Sequence, residues 1–593
     1  MAWARTPRDR SARRGRPRAR RSTFDVLEGR IAPATFLVVN ALDGPGSGPS
    51  GSLRDAINRA DPSGDASDTV VITSKVRGPI VLNSGELAID ASLSIVNRSG
   101  RPVEIRQATP GARVFHVTDS PLAARVSIGG ASDRAAILID GGDVTTGNGG
   151  GILAENPAGV LTLSHVVLVG NSAGLASSTG GSQDGGGLYS SGSVVLDQST
   201  IGTPFAPNQA SGDGGGLWAG AGVTLTGSTV AGNQAGADGG GLFVASGDAV
   251  VSRSRVDGNR AENVGGINEV KGDVRVVNGS ELNGNSSTAA LDVSQGDFGG
   301  GAIYAGVGDV FVARSQIRGN HSIGMYSSGI VVGLGSVTVT AGSRIVGNSN
   351  NGPGGGIAAN FGGVVTVSGG SQVDHNTGAG IGGGIVNFAG PMGGVRILGG
   401  SEVSHNTLTN GETLGQAVGV FLQVLAGALG VDLATATGGT TAAALQAEIA
   451  QLEQVAASTA APGTSTADPP GFLVAGGGIG TLVGASISVG GGSHVDGNLA
   501  GAPASVGDAN YVGIGGGLFS AVGTTTVRGS TVDGNTAPGS GGGIWNLGAL
   551  SLVDGAVVGN HAAARGGGIA NRGPLSIIRT PVVANTPDNI IKF

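Results

Sequence analysis

The sequence predicts an all-β fold: a single-stranded right-handed parallel β-helix with an N-terminal cap and one helical-hairpin insertion. Three observations lead there. A unit ending in Asn, usually Gly-Asn, recurs along most of the chain with a base period of 25–26 residues. Each unit holds three runs of three to five residues rich in Val, Ile, Leu and Thr, and runs such as Ser336-Val337-Thr338-Val339-Thr340 alternate with period two. Glycine supplies 117 of 593 residues without a three-residue period, which marks an array of tight turns and not a collagen.

The unit at 539–560 shows the pattern. A triple glycine, 541–543, leads into Ile544-Trp545-Asn546-Leu547. A turn follows, then the alternating strand Leu550-Ser551-Leu552-Val553, a second turn, the short strand Ala556-Val557-Val558, and Gly559-Asn560. The Asn of this motif recurs as Asn171, Asn208, Asn233, Asn259, Asn285, Asn320, Asn348, Asn376, Asn406, Asn498, Asn535, Asn560 and Asn585. Triple glycines at 185–187, 214–216, 239–241, 515–517, 541–543 and 566–568 keep step with it. No unit contains a helical stretch of ten residues, so helical and leucine-rich repeats are excluded. A strand this short buries little alone, but stacked on its copy at about 4.8 Å per coil it joins a long parallel sheet.

Each recurrent position has a physical role in such a stack. Asn side chains pass amide hydrogen bonds along the axis, and Asn tolerates a left-handed turn. Five residues earlier runs a Ser column: Ser228, Ser254, Ser280, Ser315, Ser343, Ser371, Ser401, Ser493 and Ser530. Three residues before the Asn stand Val256, Ile317, Ile345, Val373, Val403, Val495 and Val532, an inward-facing row. The triple glycines supply positive φ at a sharp corner. Repetition along the whole rod suits turns and not an active site, so both polar columns are read as structural.

The remaining segments complete the organisation. Residues 1–30 hold ten Arg against Asp9, Asp25 and Glu28, so the formal net charge of −7 divides into +7 for this head and −14 for the rest. The head is read as a basic disordered leader. It lacks the apolar core of a standard secretion signal, and Arg20-Arg21-Ser22-Thr23-Phe24 matches a twin-arginine signal only in its first residues. Residues 31–69 form the cap, 70–410 the main coils, and 471–593 the C-terminal coils. The 92-residue gap between Asn406 and Asn498 marks an insertion at 411–470. Its Ala-, Leu-, Gln- and Glu-rich stretches Glu412–Asp432 and Thr440–Ser458 place Leu445, Ile449, Leu452 and Val455 on one helical face, and Gly438-Gly439 makes the turn.

The cap residues Val26-Leu27-Glu28-Gly29-Arg30-Ile31-Ala32-Pro33-Ala34-Thr35-Phe36, with Val38-Val39-Asn40 and Gly51-Ser52-Leu53-Arg54-Asp55-Ala56-Ile57, resemble the N-terminal cap of bacterial surface-type right-handed β-helix proteins of the pectate-lyase-like superfold. The first glycine corner, Gly147–Ile152, and the closing Ala584–Ile590 are similar to theirs. The resemblance spans nearly all of the chain after residue 22. It implies a short strand and a Gly-Ser-Leu-Arg helix covering the open end of the first coil, and an extracellular or cell-surface location. Enzymes on this superfold cleave acidic polysaccharides, with clustered Asp, Arg or Lys and often Ca2+ over adjacent coils.

The sequence offers four candidates for chemistry. The densest charged patch is Arg253, Arg255, Asp257, Arg260, Glu262, Glu269, Lys271, Asp273 and Arg275, where coil register sets Arg255 beside Glu281; it is read as a salt-bridged surface. Asp184, Asp213 and Asp238 each precede a glycine corner. Stacked, their carboxylates repel unless a cation sits among them, which makes them candidates for weak Ca2+ binding, with solvated turn acids the simpler reading. His375 and His405 each stand before a ladder Asn and are expected as stacked surface neighbours; the sequence identifies no carboxylate to complete a metal site. Three Trp and four Tyr leave few platforms for sugars. There is no cysteine, which removes disulfides, thiolate metal sites and thiol nucleophiles. No run of 18 apolar residues is present for a membrane-spanning helix, and the acidic body argues against nucleic acid. No catalytic residue or cofactor is assigned. The expectation is a non-enzymatic surface protein serving adhesion, envelope structure or display, with polysaccharide or envelope components as partners; the alternative is a polysaccharide lyase or glycoside hydrolase.

Overall fold

The computed structural model describes residues 33–593 apart from 61–67, 176–181, 289–299, 324–326, 362, 389–392, 410–471, 483 and 502–510. The basic leader and the helical hairpin expected at 411–470 lie outside the described residues. The rest is a parallel β-helix. Every inter-strand pairing of the coils is parallel; three ladders of seventeen, sixteen and sixteen strands run the length of the rod, and a fourth of thirteen strands joins them from Asp143. In chain order around one coil, the first face carries strands such as Leu242–Val244, the second Ala249–Ser252, the third Arg255–Asp257 and the fourth Arg260–Ala261. The fourth face is a finding beyond the three runs read from the sequence. Its strands are two or three residues long, too short to display alternation.

Alternation on the other faces places Val, Ile and Leu inside. Val223, Leu225, Val251, Val276 and Val312 of the second face are buried, as are Val256, Ile317, Ile345, Val373, Val403, Val495 and Val532 of the third. They merge into one core along the rod. The cap helix α1 (Leu53–Asn58) closes its start, burying Leu53, Ala56 and Ile57. The Ser52 hydroxyl accepts the amide of Asp55, and the Asp55 carboxylate accepts the amide of Gly51. Arg54, nearly buried, is held by Asp43 at 2.7 Å and by the carbonyls of Gly85 and Glu86. The strand Thr35–Val38 already pairs with Asp68–Ile72, so the second face begins inside the cap.

The ladder Asn columns the third-to-fourth-face corner. Asn233 is typical: its backbone amide and its side-chain amide both donate to Asn259 Oδ1 at 3.0 Å, and the second side-chain hydrogen goes to the carbonyl of Ile201. Its own Oδ1 accepts the same pair from Asn208. This bonding repeats without a break from Asn171 to Asn585, across the 92-residue step included. At one end Gly142 stands at the ladder position and donates to Asn171 Oδ1; at the other, Asn585 donates to Asn589 Oδ1. Each ladder amide is buried with its donors and acceptor used. The Ser column behaves likewise, each amide donating to the next Ser Oγ, and it gains Ser199, whose spacing from Asn208 is stretched by the turn Thr203–Ala206.

Two sequence expectations about backbone geometry change. No ladder Asn has positive φ; the residue before it does, as at Gly232 (φ 68°) and Gly258 (φ 62°), with Pro207 before Asn208 the exception. Asn is needed for its amide, and glycine makes the turn. In the triple glycines only the first residue has positive φ, as at Gly214 and Gly541. The other two are required by closeness. A Cβ on Gly215 would lie 2.3 Å from the Gln234 carbonyl, and one on Gly216 would lie 2.9 Å from Asn233 Nδ2. The corner is therefore narrow because the backbone of the next coil, with the ladder amide, fills it.

The ladder predicts a position-specific cost. Asn348→Ala would strand the amides of Asn320 and the carbonyl of Ile317, a loss of about 3 kcal/mol. Amide hydrogen exchange at 320 and 376 is expected to quicken by about 100-fold, whereas Ser371→Ala, which removes fewer bonds, has a smaller effect.

Candidate functional site

The carboxylates expected to gather at the glycine corner are in place, and they bond to backbone. Asp184 Oδ1 accepts the amide of Asp213, and Asp213 Oδ1 accepts the amide of Asp238, each at 2.9 Å. Asn148 begins the column by accepting the amide of Asp184. Burial pushes the Asp213 carboxyl up to about 6, opposed by the Asp238 amide and reinforced by Asp184. A parallel column at the next corner uses Asp248, Asp273 and Asp309, each accepting the amide one coil on.

The charged patch divides. Arg255 reaches Glu281 at 3.0 Å, as coil register requires, and Asp257 at 2.7 Å; all three lie on the outer side of the third face. Glu269 does not belong to that surface. It pairs in register with Val244 and Ala305 on the first face and is wholly buried in the inward row. Its Oε1 accepts the Lys271 amide, and among the described residues its Oε2 has no partner. Burial pushes this carboxyl up to about 8, with Asp248 and Asp273 adding and the Lys271 amide opposing. A polar side chain in a strand reads as outward from sequence because its neighbours are charged; only the pleat of the coil shows that it points in.

One cluster escaped the sequence reading. His116 bridges Glu86 and Glu155, its ring nitrogens 2.8 and 2.9 Å from their carboxylates, and Arg113 holds Glu86 at 2.8 Å. The hydrogen bond to Glu86, against burial, raises the His116 pKa, with Glu155 assisting. Burial raises Glu86, but His116 and Arg113 outweigh it and hold its carboxyl below the usual range. The members come from three successive coils, Arg113 and His116 from the same one, with no repeat motif around them, so spacing gave no signal. Both carboxylates are spent on His116, and Glu86 on Arg113 as well, so neither is free as a general acid or base.

The aromatic residues also pair with each other. Tyr189 and Trp218 stack at 4.3 Å and 7°, and Trp218 and Phe243 at 6.0 Å and 7°. Rings stacked along the axis spend their faces on one another and present edges outward, which is unlike an open sugar platform. His375 and His405 are neighbours as expected, with ring centroids 4.9 Å apart. The structure adds the carboxylate that the sequence did not identify, Asp374, 2.7 Å from His375 Nδ1 and 3.4 Å from His405 Nδ1. No helix of the described residues is long and apolar enough to cross a membrane.

No family model, curated protein or solved structure matches the chain.

Glu269 makes stability depend on pH. Its folded pKa lies above the unfolded value near 4.5, so its contribution is full below that value and is lost as pH rises through about 8. Asp213 acts with the same sign over a lower window, ending near 6. Thermal unfolding from pH 5 to 9 is expected to show a midpoint that falls on the alkaline side, and Glu269→Gln is expected to flatten that fall. An unchanged profile in the variant would count against a buried, neutral Glu269.

Proposed function

We propose that this chain is a non-enzymatic extracellular or cell-surface β-helix that serves adhesion, envelope structure or display. One observation carries the reading: the polar groups that recur along the rod are consumed in coil-to-coil bonding. The Asn and Ser columns, both Asp columns and the Arg255 pair all bond to the coil beside them. An enzyme acting on a polysaccharide keeps acids, bases or cations convergent and unspent over a groove. Beyond these columns many outer strand positions carry Thr and Ser, as at Thr224, Thr226, Thr338 and Thr340, with Val195, Val250, Arg275, Phe311 and Arg396 among them. Such a surface offers many equivalent hydroxyls and suits repeated contact along a length.

The charge agrees. An acidic polysaccharide meets a body with a formal charge of −14, outside the Arg-rich head. Neutral glycans and envelope components fit this surface better than polyanions. The rod's length, about 77 Å for seventeen strands at ~4.8 Å spacing, suits a spacer or a display stalk.

Incubation with pectins, alginates and glycosaminoglycans, followed at 235 nm for the unsaturated product, is expected to show no change. A sustained rise would replace this reading with a lyase. Surface proteolysis of intact producing cells is expected to degrade the protein, and full protection would overturn the surface location.

A further inference from the structure

We propose that Asp374, His375 and His405 form a binding site for a divalent transition-metal ion of the zinc class. The three ligand atoms lie within 4.8 Å of one another. His375 Nδ1 is 2.7 Å and His405 Nδ1 3.4 Å from the same carboxylate oxygen, Asp374 Oδ1. A tetrahedral ion about 2.1 Å from each ligand spans ligand pairs of about 3.4 Å, so small rotations of these side chains suffice. Ser404 Oγ donates to Asp374 Oδ1 at 3.2 Å, the kind of outer contact that orients a ligating carboxylate. Both rings are exposed, which leaves the remaining coordination positions to water.

The placement of the two imidazoles is a second, independent observation. They stand in the column before the ladder Asn, where other coils carry glycine at positive φ: Gly258, Gly284, Gly319, Gly347, Gly497 and Gly534. His375 (φ 54°) and His405 (φ 51°) hold the same left-handed conformation with full side chains, in consecutive coils. L-residues adopt that conformation at a cost that glycine avoids. The ring of His405 is accommodated by the coil that follows, since a Cβ on Gly497 would fall 3.0 Å from its Cδ2. A stack of imidazoles joined to one carboxylate, set into a glycine column, is the donor set of a zinc-type ion. Two nitrogens and one oxygen suit Zn2+, Co2+ or Ni2+ and do not suit Ca2+ or Mg2+, which require oxygen ligands.

The test uses the full chain, stripped with chelator and titrated calorimetrically with ZnCl2. A single ion per chain is expected, with micromolar affinity. His375→Gly and His405→Gly are each expected to weaken it by about 100-fold, and Asp374→Asn by about 10-fold or more. The glycine variants restore the residue of neighbouring coils, so they fold, and unchanged thermal midpoints without metal check this. Zn2+ should raise the midpoint of the wild type and not that of the double glycine variant. His321→Ala, an exposed His on another coil, should bind as the wild type does. Absence of saturable Zn2+ binding up to about 1 mM, full binding by the double variant, or Ca2+ binding as tight as Zn2+ would each overturn the proposal.

Discussion

The rod depends on keeping a column of amides buried and satisfied. Each ladder Asn uses both side-chain hydrogens, and from Asn208 onward each accepts two bonds on its oxygen, so an interior coil cannot be added or removed without a partner on each side. That requirement sets much else. It draws the side chain into the corner, and the corner then has no room for a Cβ on the third glycine. It places a left-handed residue just before every ladder Asn except Asn208, which follows Pro207. It ends at Gly142 and at Asn589, where a backbone amide and a side-chain oxygen replace the missing neighbours.

Coil-to-coil bonding also explains why acidic residues recur at corners without crowding. An Asp that accepts the amide of the next coil does for one strand end what a ladder Asn does for another. Partial burial then lifts its pKa, as for Asp213. The same low-dielectric interior is harsher for Glu269, which lies in an apolar row with one oxygen lacking a described partner. Two acids close in sequence space to the same charged patch thus take opposite fates, Asp257 outside against Arg255 and Glu269 inside against Val244 and Ala305.

Most of the architecture was legible as a one-dimensional pattern. The Asn and Ser columns, the inward Val and Ile row, the stacking of Arg255 on Glu281 and of His375 on His405 follow from counting, because successive coils add in register. What counting missed was short or directional. The fourth face has strands of two or three residues, and the His116 cluster joins Glu86, Arg113 and Glu155 without a motif. Asp374 was visible beside His375, but whether its carboxylate turns toward both imidazoles depends on side-chain direction.

By itself, the sequence determined the period, the parallel stacking and the amide column, since each is a repeated local choice that the next coil must match. The tertiary structure alone decided which polar groups meet and which are hidden: the inward turn of Glu269, the carboxylate shared by two stacked imidazoles, and the closeness that demands glycine. These depend on side-chain direction and on distances between coils separated by 25 to 92 residues, where loop length varies and a pattern along the chain carries no angle.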